Sequence, residues 1–284
     1  MENQTILLLG CTSWIGFKLS QKLVKMGYEV VGTSRTISHS MSWLKHHYSI
    51  TTPSELIKLI KTLQPQTIIN LLRGEDEEGW NAFRSSIEPN CHYIYLSSSL
   101  ALDGYESNIP LIDTLSPKAK SAYGMFKAEC ENYLNIAHEN HLIIRFNSIH
   151  GFTPHKTTRT QLFLDKLKSG REITVHKGVI QSRLYDESLI NLLLKHIQNE
   201  TTGTLHFASD DKSEELTFLQ KLAHKFGYSH NAIIPGKNRL LANALVPSKN
   251  MFINQQPYKL DDEVLLCKLK SDRGLIQYIS SGGM

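Results

Sequence analysis

The sequence predicts an α/β fold, a doubly wound parallel sheet of the Rossmann type followed by a smaller C-terminal lobe. Three observations lead there. Short apolar runs of strand length alternate with segments of helical periodicity through the first half of the chain. The turn Gly10-Cys11-Thr12-Ser13-Trp14-Ile15-Gly16 joins the first apolar run to the first helix. Beyond about Gly151 the alternation loosens, so the reading places the sheet domain at residues 1–150 and the lobe at residues 151–284, with the lobe free to return elements to the sheet.

The first apolar run, residues 6–9, ends at Gly10 and reads as a buried strand. Ile15, Leu19, Leu23 and Met26 then recur at helical spacing until Gly27, and residues 28–32 read as a second strand. A helix starts at Ser54 and ends before Pro65. Residues 67–71 and 93–96 are two further strands, 119–139 a long helix and 142–146 another strand. In the second half, helices are expected at 161–169, 187–198 and 216–226, with short strands at 172–175 and 204–207. The tail after Pro235 carries little pattern. Strand–helix alternation of this kind implies right-handed crossovers and parallel pairing.

Composition narrows the class. Of the 284 residues 40% are hydrophobic and 20% charged, ordinary for a soluble globular protein. No apolar run approaches the length of a membrane span, and the N-terminus lacks a basic, apolar leader, so the expectation is a cytoplasmic protein with no membrane partner. Cys11, Cys91, Cys130 and Cys267 are scattered without metal-ligand spacing and fit reduced thiols. The thirteen histidines, His46-His47 among them, form no ligand pattern, and no metal site is expected. A net charge of +4 suits an anionic ligand and does not argue for nucleic acid.

Glycines in a strand–helix turn let the backbone approach a diphosphate, which the free N–H groups and the helix dipole hold. That makes Gly10, Thr12, Ser13, Trp14, Ile15 and Gly16 cofactor-binding candidates, although Ser13 stands where a middle glycine is usual. Enzymes that use NAD usually carry an acid at the end of the second strand; here the strand ends Gly32-Thr33-Ser34-Arg35-Thr36. Arg35, assisted by Ser34 or Thr33, suits a ribose 2′-phosphate, which favours NADPH.

Tyr123-Gly124-Met125-Phe126-Lys127 places a tyrosine and a lysine four residues apart, on one helix face. A neighbouring cation lowers a tyrosine's pKa and allows proton exchange near neutrality. Ser97-Ser98-Ser99 closes the strand before that helix, at the sheet end where ligands of such folds sit.

With these motifs in order, residues 5–210 resemble an extended short-chain dehydrogenase/reductase, the group of NAD-dependent epimerases and dehydratases that includes dTDP-4-dehydrorhamnose reductases and GDP-sugar reductases. The resemblance implies catalytic Ser99, Tyr123 and Lys127, with Ser98 as the fallback serine. Tyr95-Leu96-Ser97-Ser98-Ser99, Ser121-Ala122-Tyr123-Gly124-Met125-Phe126-Lys127-Ala128-Glu129 and Arg145-Phe146-Asn147-Ser148-Ile149-His150-Gly151 carry it most directly. It extends the cofactor set to Leu71, Leu72, Arg73, Ser97, Tyr123 and Lys127, and assigns Ser98, Ser99, Arg145, Asn147, His150 and Arg183 to the substrate. Lys177 and Arg239 join Arg183 as candidates for diphosphate contacts, and Trp14, Trp80 and Phe152 as residues that border the site or belong to the core. The acids after Ser182-Arg183-Leu184-Tyr185 also read as ordinary capping residues.

The departures are specific. The segment between Arg73 and Tyr93 has room for one helix where the family usually has two, and Asn81 is no clear replacement for the family's supporting asparagine. Those helices build many family dimers, so a homodimer stays open. Asp103 takes a place where tyrosine is frequent, and Phe152 replaces a usual proline.

The expected activity is NADPH-dependent reduction of a nucleoside-diphosphate 4-keto-deoxysugar, supplying deoxysugars for a surface polysaccharide such as O-antigen. The alternatives are a sugar-nucleotide epimerase, or epimerase-reductase, with Cys91 or His150 as the added base, and an idle NADP-binding regulatory subunit.

Overall fold

Four strands with fully buried inward and outward faces build the centre of the sheet: β1 (Thr5–Leu9), β4 (Thr67–Asn70), β5 (His92–Leu96) and β6 (His141–Phe146). Their apolar runs are continuous rather than alternating because helices cover both faces of a parallel sheet. The computed structural model describes residues 4–37, 41–72, 86–154, 156–209, 211–242, 244–251 and 261–280. β2 (Glu29–Ser34) and β3 (His46–Ser49) extend the sheet on the other side of β1, and β10 (Gly203–Phe207) lies beside β6, giving the order β10-β6-β5-β4-β1-β2-β3. All pairings from β3 through to β6 are parallel. The chain therefore winds outward from β1 in one direction, returns, and winds outward again from β4. The reversal sits between β1 and β4, and in such sheets the ligand crevice opens there, at the carboxyl ends of the strands.

Helices start where local chemistry dictates. Ser13 caps α1 (Trp14–Lys25), its hydroxyl accepting from the Gly16 amide. Thr52 and Glu55 form a reciprocal capping box at α2 (Pro53–Leu63), with Pro53 in the first turn. Ser121 caps α3 (Ala122–Ala137) by accepting from Gly124. Leu7, Leu9, Val31, Ile60, Ile68, Tyr93, Tyr95, Phe126, Leu134 and Ile143 form the core that joins these helices to the sheet.

The chain divides into two compact units, and the division is interleaved. The first comprises residues 1–101, 117–145 and 193–204; the second comprises 102–116, 146–192 and 205–284. The expected division at residue 150 is a single one, whereas here residues 193–204 return to the first unit and 102–116 leave it. The second unit contains β7 (Ser148–His150) paired in parallel with β9 (Arg183–Tyr185), and a three-stranded sheet in which β8 (Ile173–Gln181) lies between β11 (Ser213–Glu214) and β12 (Ile233–Ala242). Its helices are α4 (Arg159–Lys168), α5 (Asp186–Gln198, whose last residues belong to the first unit), α6 (Glu215–Lys225) and α7 (Asp262–Ser280). Phe163, Leu164, Leu216, Phe218, Leu222, Leu265, Leu266 and Leu269 form its core. Among the described residues no helix is long and apolar enough to cross a membrane.

The expected elements up to residue 226 fall within a few residues of the observed ones. Others were not read from the sequence: β7, β9 and β11 are only two or three residues long, β3 is a polar edge strand that shows no apolar alternation, and the tail after residue 235 holds most of β12 and all of α7.

Candidate active site

The turn after β1 is drawn tight. Gly10 has φ +81°, a conformation that favours glycine, and the amides of Gly10 and Cys11 both donate to the Thr33 carbonyl at 3.0 Å. A Cβ on Gly16 would lie 2.5 Å from the Gly10 carbonyl oxygen, so the helix start packs directly on the turn. Ser13, in place of the usual middle glycine, has φ −68° and ψ 160°, which any residue adopts, so its side chain is accommodated as the N-cap. No acid lies in the first turn of α1 to compete with an anion for the positive end of the helix dipole. Thr12 and Trp14 are half-buried and Ile15 is buried. These features fit a dinucleotide diphosphate: close backbone approach, a helix N-terminus and no opposing charge.

At the tip of β2, the Ser34 hydroxyl donates to the Thr36 carbonyl at 2.6 Å and lies 2.7 Å from His47 Nε2. The same nitrogen is 3.4 Å from Cys11 Sγ. Arg35 is exposed. Burial pushes the Cys11 thiol up to about 12 and holds His47 below the usual histidine value.

Across the reversal, Leu71 and Leu72 follow β4 and lie against Gly10, with a Cβ on that glycine 3.5 Å from Leu72 Cδ2. The Leu71 amide donates to the Leu9 carbonyl at 3.1 Å. Arg73, Trp80 and Asn81 lie outside the described residues.

The catalytic candidates converge on α3 and the end of β5. A Cβ on Gly124 would sit 2.2 Å from the Leu100 carbonyl oxygen, so α3 starts in close contact with the single 3-10 turn Ser99–Leu102. Lys127 is 2% exposed. Its ammonium donates to the Leu96 carbonyl at 2.8 Å and to the Leu72 carbonyl at 3.4 Å, which ties α3 to the ends of both β5 and β4. The nitrogen lies 4.5 Å from the centre of the Tyr95 ring and 5.7 Å from that of Tyr123. Tyr123 itself is 37% exposed, so its ring has a buried cation on one side and solvent access on the other. Ser99 is 5% exposed, and Ser98 is half-buried with its hydroxyl accepting from the Leu100 amide at 3.2 Å.

Several predicted contacts have different occupations. Ser97 is buried and donates its hydroxyl to Glu131, so its side chain is committed to the core. Arg145 is 1% exposed, with Nη2 2.6 Å and Nε 2.9 Å from Glu131 Oε2. Its guanidinium balances a carboxylate that is 0% exposed, so the residue expected at the substrate forms a buried ion pair. Arg183 is likewise buried: Nη2 is 2.8 Å from Glu215, Nη1 is 2.5 Å from the Ser213 hydroxyl and 3.8 Å from Asp262, and the guanidinium covers the Phe218 ring at 4.2 Å. Asn147 Oδ1 accepts from the Ser182 hydroxyl at 2.7 Å and the Leu245 amide at 3.1 Å. Lys177 is exposed, and the Arg239 side chain is not described. Phe152 is a core residue.

The two bases considered for an epimerase are poorly equipped. His150 is buried against Phe218 and hydrogen-bonded to Thr160 at 3.2 Å, and burial pushes its pKa down to about 3. Cys91 precedes β5 whereas Ser97 follows it, so the two residues lie roughly 20 Å apart at an ordinary rise per residue. Its thiol is buried and pushed up to about 12.

Glu131 and His47 escaped the sequence reading. Glu131 carried a signal, since it continues the Tyr123–Lys127 stripe by one more helical step. His47 carried none, because its role depends on β3 pairing with β2 in a register that sets His47 opposite Gly32.

Residues 6–200 match the family described as the NAD dependent epimerase/dehydratase family. No curated protein sequence matches the chain. Among solved structures, a dTDP-4-dehydrorhamnose reductase from Bacillus anthracis in complex with NADP superposes with a TM-score of 0.78 at 15% identity, covering 95% of this chain and 99% of that one. The dTDP-4-dehydrorhamnose reductase of Yersinia enterocolitica gives 0.75 at 21% identity, covering 95% and 99%. A UDP-glucose 4-epimerase from Thermotoga maritima, solved with UDP-glucose, gives 0.76 at 16% identity, covering 96% and 100%. At these identities the likeness is one of fold.

Proposed function

Because the chain belongs to the NAD dependent epimerase/dehydratase family, within the extended short-chain dehydrogenase/reductases, we propose that it reduces the keto carbon of a nucleoside-diphosphate 4-keto-deoxysugar with NADPH. The observation that carries the proposal is the buried Lys127 ammonium, bonded to the Leu96 carbonyl and set 5.7 Å from the centre of the half-exposed Tyr123 ring. When bound, the nicotinamide supplies the hydride for the carbonyl carbon.

The chain's own groups do the rest. The Gly10–Gly16 turn and the start of α1 hold the diphosphate of the cofactor, Arg35 meets a 2′-phosphate, and Leu71 and Leu72 flank the path toward the catalytic helix. Tyr123 gives its hydroxyl proton to the developing alkoxide, and Lys127 compensates the charge left on the phenol oxygen. Ser99 donates a hydrogen bond that orients the carbonyl, with Ser98 the alternative donor. Holding these donors around one carbonyl converts an encounter in solution into a positioned reaction. A base for enolising epimerisation is lacking in this set: His150 is neutral and enclosed, and Cys91 is at the other end of β5. The product fits deoxysugar supply for a surface polysaccharide such as O-antigen or lipopolysaccharide, made in the cytoplasm.

The test is NADPH oxidation followed by absorbance with dTDP-, GDP- and CDP-linked 4-keto-6-deoxysugars in turn. Turnover with one nucleotide that is lost in Tyr123→Phe is the expected result. Tight NADPH binding with no oxidation by any of the three would overturn the reductase reading.

A further inference from the structure

Beside the cofactor turn stands a histidine that the chemistry above does not use. β3 runs parallel to β2 with Ser49 opposite Ser34 and His47 opposite Gly32, which brings the His47 ring to the side chain at the β2 tip. Ser34 has one hydroxyl proton, and it is given to the Thr36 carbonyl at 2.6 Å. His47 Nε2, 2.7 Å from the same oxygen, must therefore be the donor there, which fixes the Nε2–H form of the ring. That nitrogen also reaches Cys11 Sγ at 3.4 Å, so one imidazole links the β2 tip to the glycine turn. Two further bonds from β3 hold the backbone of the tip: the Ser49 hydroxyl donates to the Arg35 carbonyl and the Ile50 amide to the Ser34 carbonyl, both at 2.8 Å.

The consequence concerns the ribose. A 2′-hydroxyl is usually met by a carboxylate at the strand end, and the tip offers no carboxylate among Ser34, Arg35 and Thr36. A 2′-phosphate seeks donors, and Arg35 is exposed to give them only while the tip keeps its shape. We propose that His47 is a positioning residue for cofactor choice: by holding the Ser34 hydroxyl it fixes the Ser34–Arg35–Thr36 tip in the form that receives a 2′-phosphate, and so sets the preference for NADPH over NADH. The proposal rests on the NADPH reading above.

Dissociation constants for NADPH and NADH are measured by fluorescence titration on the full chain, with melting temperatures taken alongside. The wild-type protein favours NADPH. His47→Ala weakens NADPH binding roughly three- to tenfold, the worth of one positioned hydrogen bond, and leaves NADH nearly unchanged. His47→Gln, whose amide N–H reaches the same oxygen, recovers part of the preference, and Ser34→Ala combined with His47→Ala loses no more than either alone. A preference for NADPH that His47→Ala leaves unchanged overturns the proposal and leaves the NADPH reading standing. Equal losses for both cofactors overturn it in favour of a general packing role. A wild-type protein that binds both cofactors equally overturns the NADPH reading, and the proposal with it.

Discussion

Replacing Arg145 by methionine separates the two roles that its charge suggests. In the structure the guanidinium is 1% exposed and its partner Glu131 0% exposed, joined through Nη2 at 2.6 Å and Nε at 2.9 Å, with the Ser97 hydroxyl as a further donor to the carboxylate. Arg145→Met leaves that carboxylate buried with one neutral donor. Removing one partner of a buried pair costs about 3–5 kcal/mol, whereas replacing both by apolar groups of similar size is close to neutral. At about 2–4 °C per kcal/mol for a chain of this size, Arg145→Met and Glu131→Met each melt roughly 6–20 °C below the wild type. The double replacement melts higher than either single one. Thermal and urea unfolding, followed by circular dichroism, supply the four corners of the cycle, and the KM for the sugar nucleotide is read on the same proteins. The structural account expects a large loss of stability, rescue in the double variant and a KM within about twofold of wild type wherever the protein is folded. If Arg145→Met melts within about 2 °C of wild type while KM rises tenfold or more, the arginine is a substrate contact and the reasoning from burial fails.

Other outcomes follow from single groups. Burial pushes the His150 pKa from the ordinary 6.5 down to about 3, so below pH 6.5 the unfolded chain takes up a proton that the folded one refuses. Its contribution is whole above pH 6.5 and lost as pH falls toward 3, the loss reaching about 2 kcal/mol at pH 5. His150→Gln should flatten the dependence of unfolding free energy on pH in that window, and identical slopes for the two proteins would contradict the assignment. Gly16→Ala forces a Cβ to within 2.5 Å of the Gly10 carbonyl, a backbone atom that cannot turn away. A loss of about 1–3 kcal/mol in stability and weaker cofactor binding are expected in unfolding and titration experiments. Of the four cysteines only Cys267 is exposed, and the buried Cys11 and Cys91 thiols are pushed up to about 12. A thiol reagent at pH 8 should modify one cysteine quickly and the other three only after unfolding, as counted by mass spectrometry.

The sequence by itself determined the parts of this protein that depend on neighbours along the chain. The buried strands β1, β4, β5 and β6 are continuous apolar runs, and Ser13, Thr52 with Glu55, and Ser121 mark helix starts through bonds that span three residues. Tyr123 and Lys127 share a helix face by spacing alone, and the structure keeps them there. Only the tertiary structure decided what the polar residues do. Arg145, Arg183 and His150 read as ligand-binding groups because an isolated charge or imidazole in a sequence carries no mark of its partner. Burial is tolerable only where such a partner is supplied, and Glu131, Glu215 and Thr160 are supplied by other helices. β3 went unseen for a related reason. Its His46-His47-Tyr48-Ser49 has no apolar face to announce a strand, and it becomes one because the open edge of β2 needs hydrogen-bond partners. That the lobe could return elements to the sheet was legible, but not that residues 193–204 are the ones that rejoin the first unit, since periodicity reports which face of an element is buried and not against which neighbour it is buried.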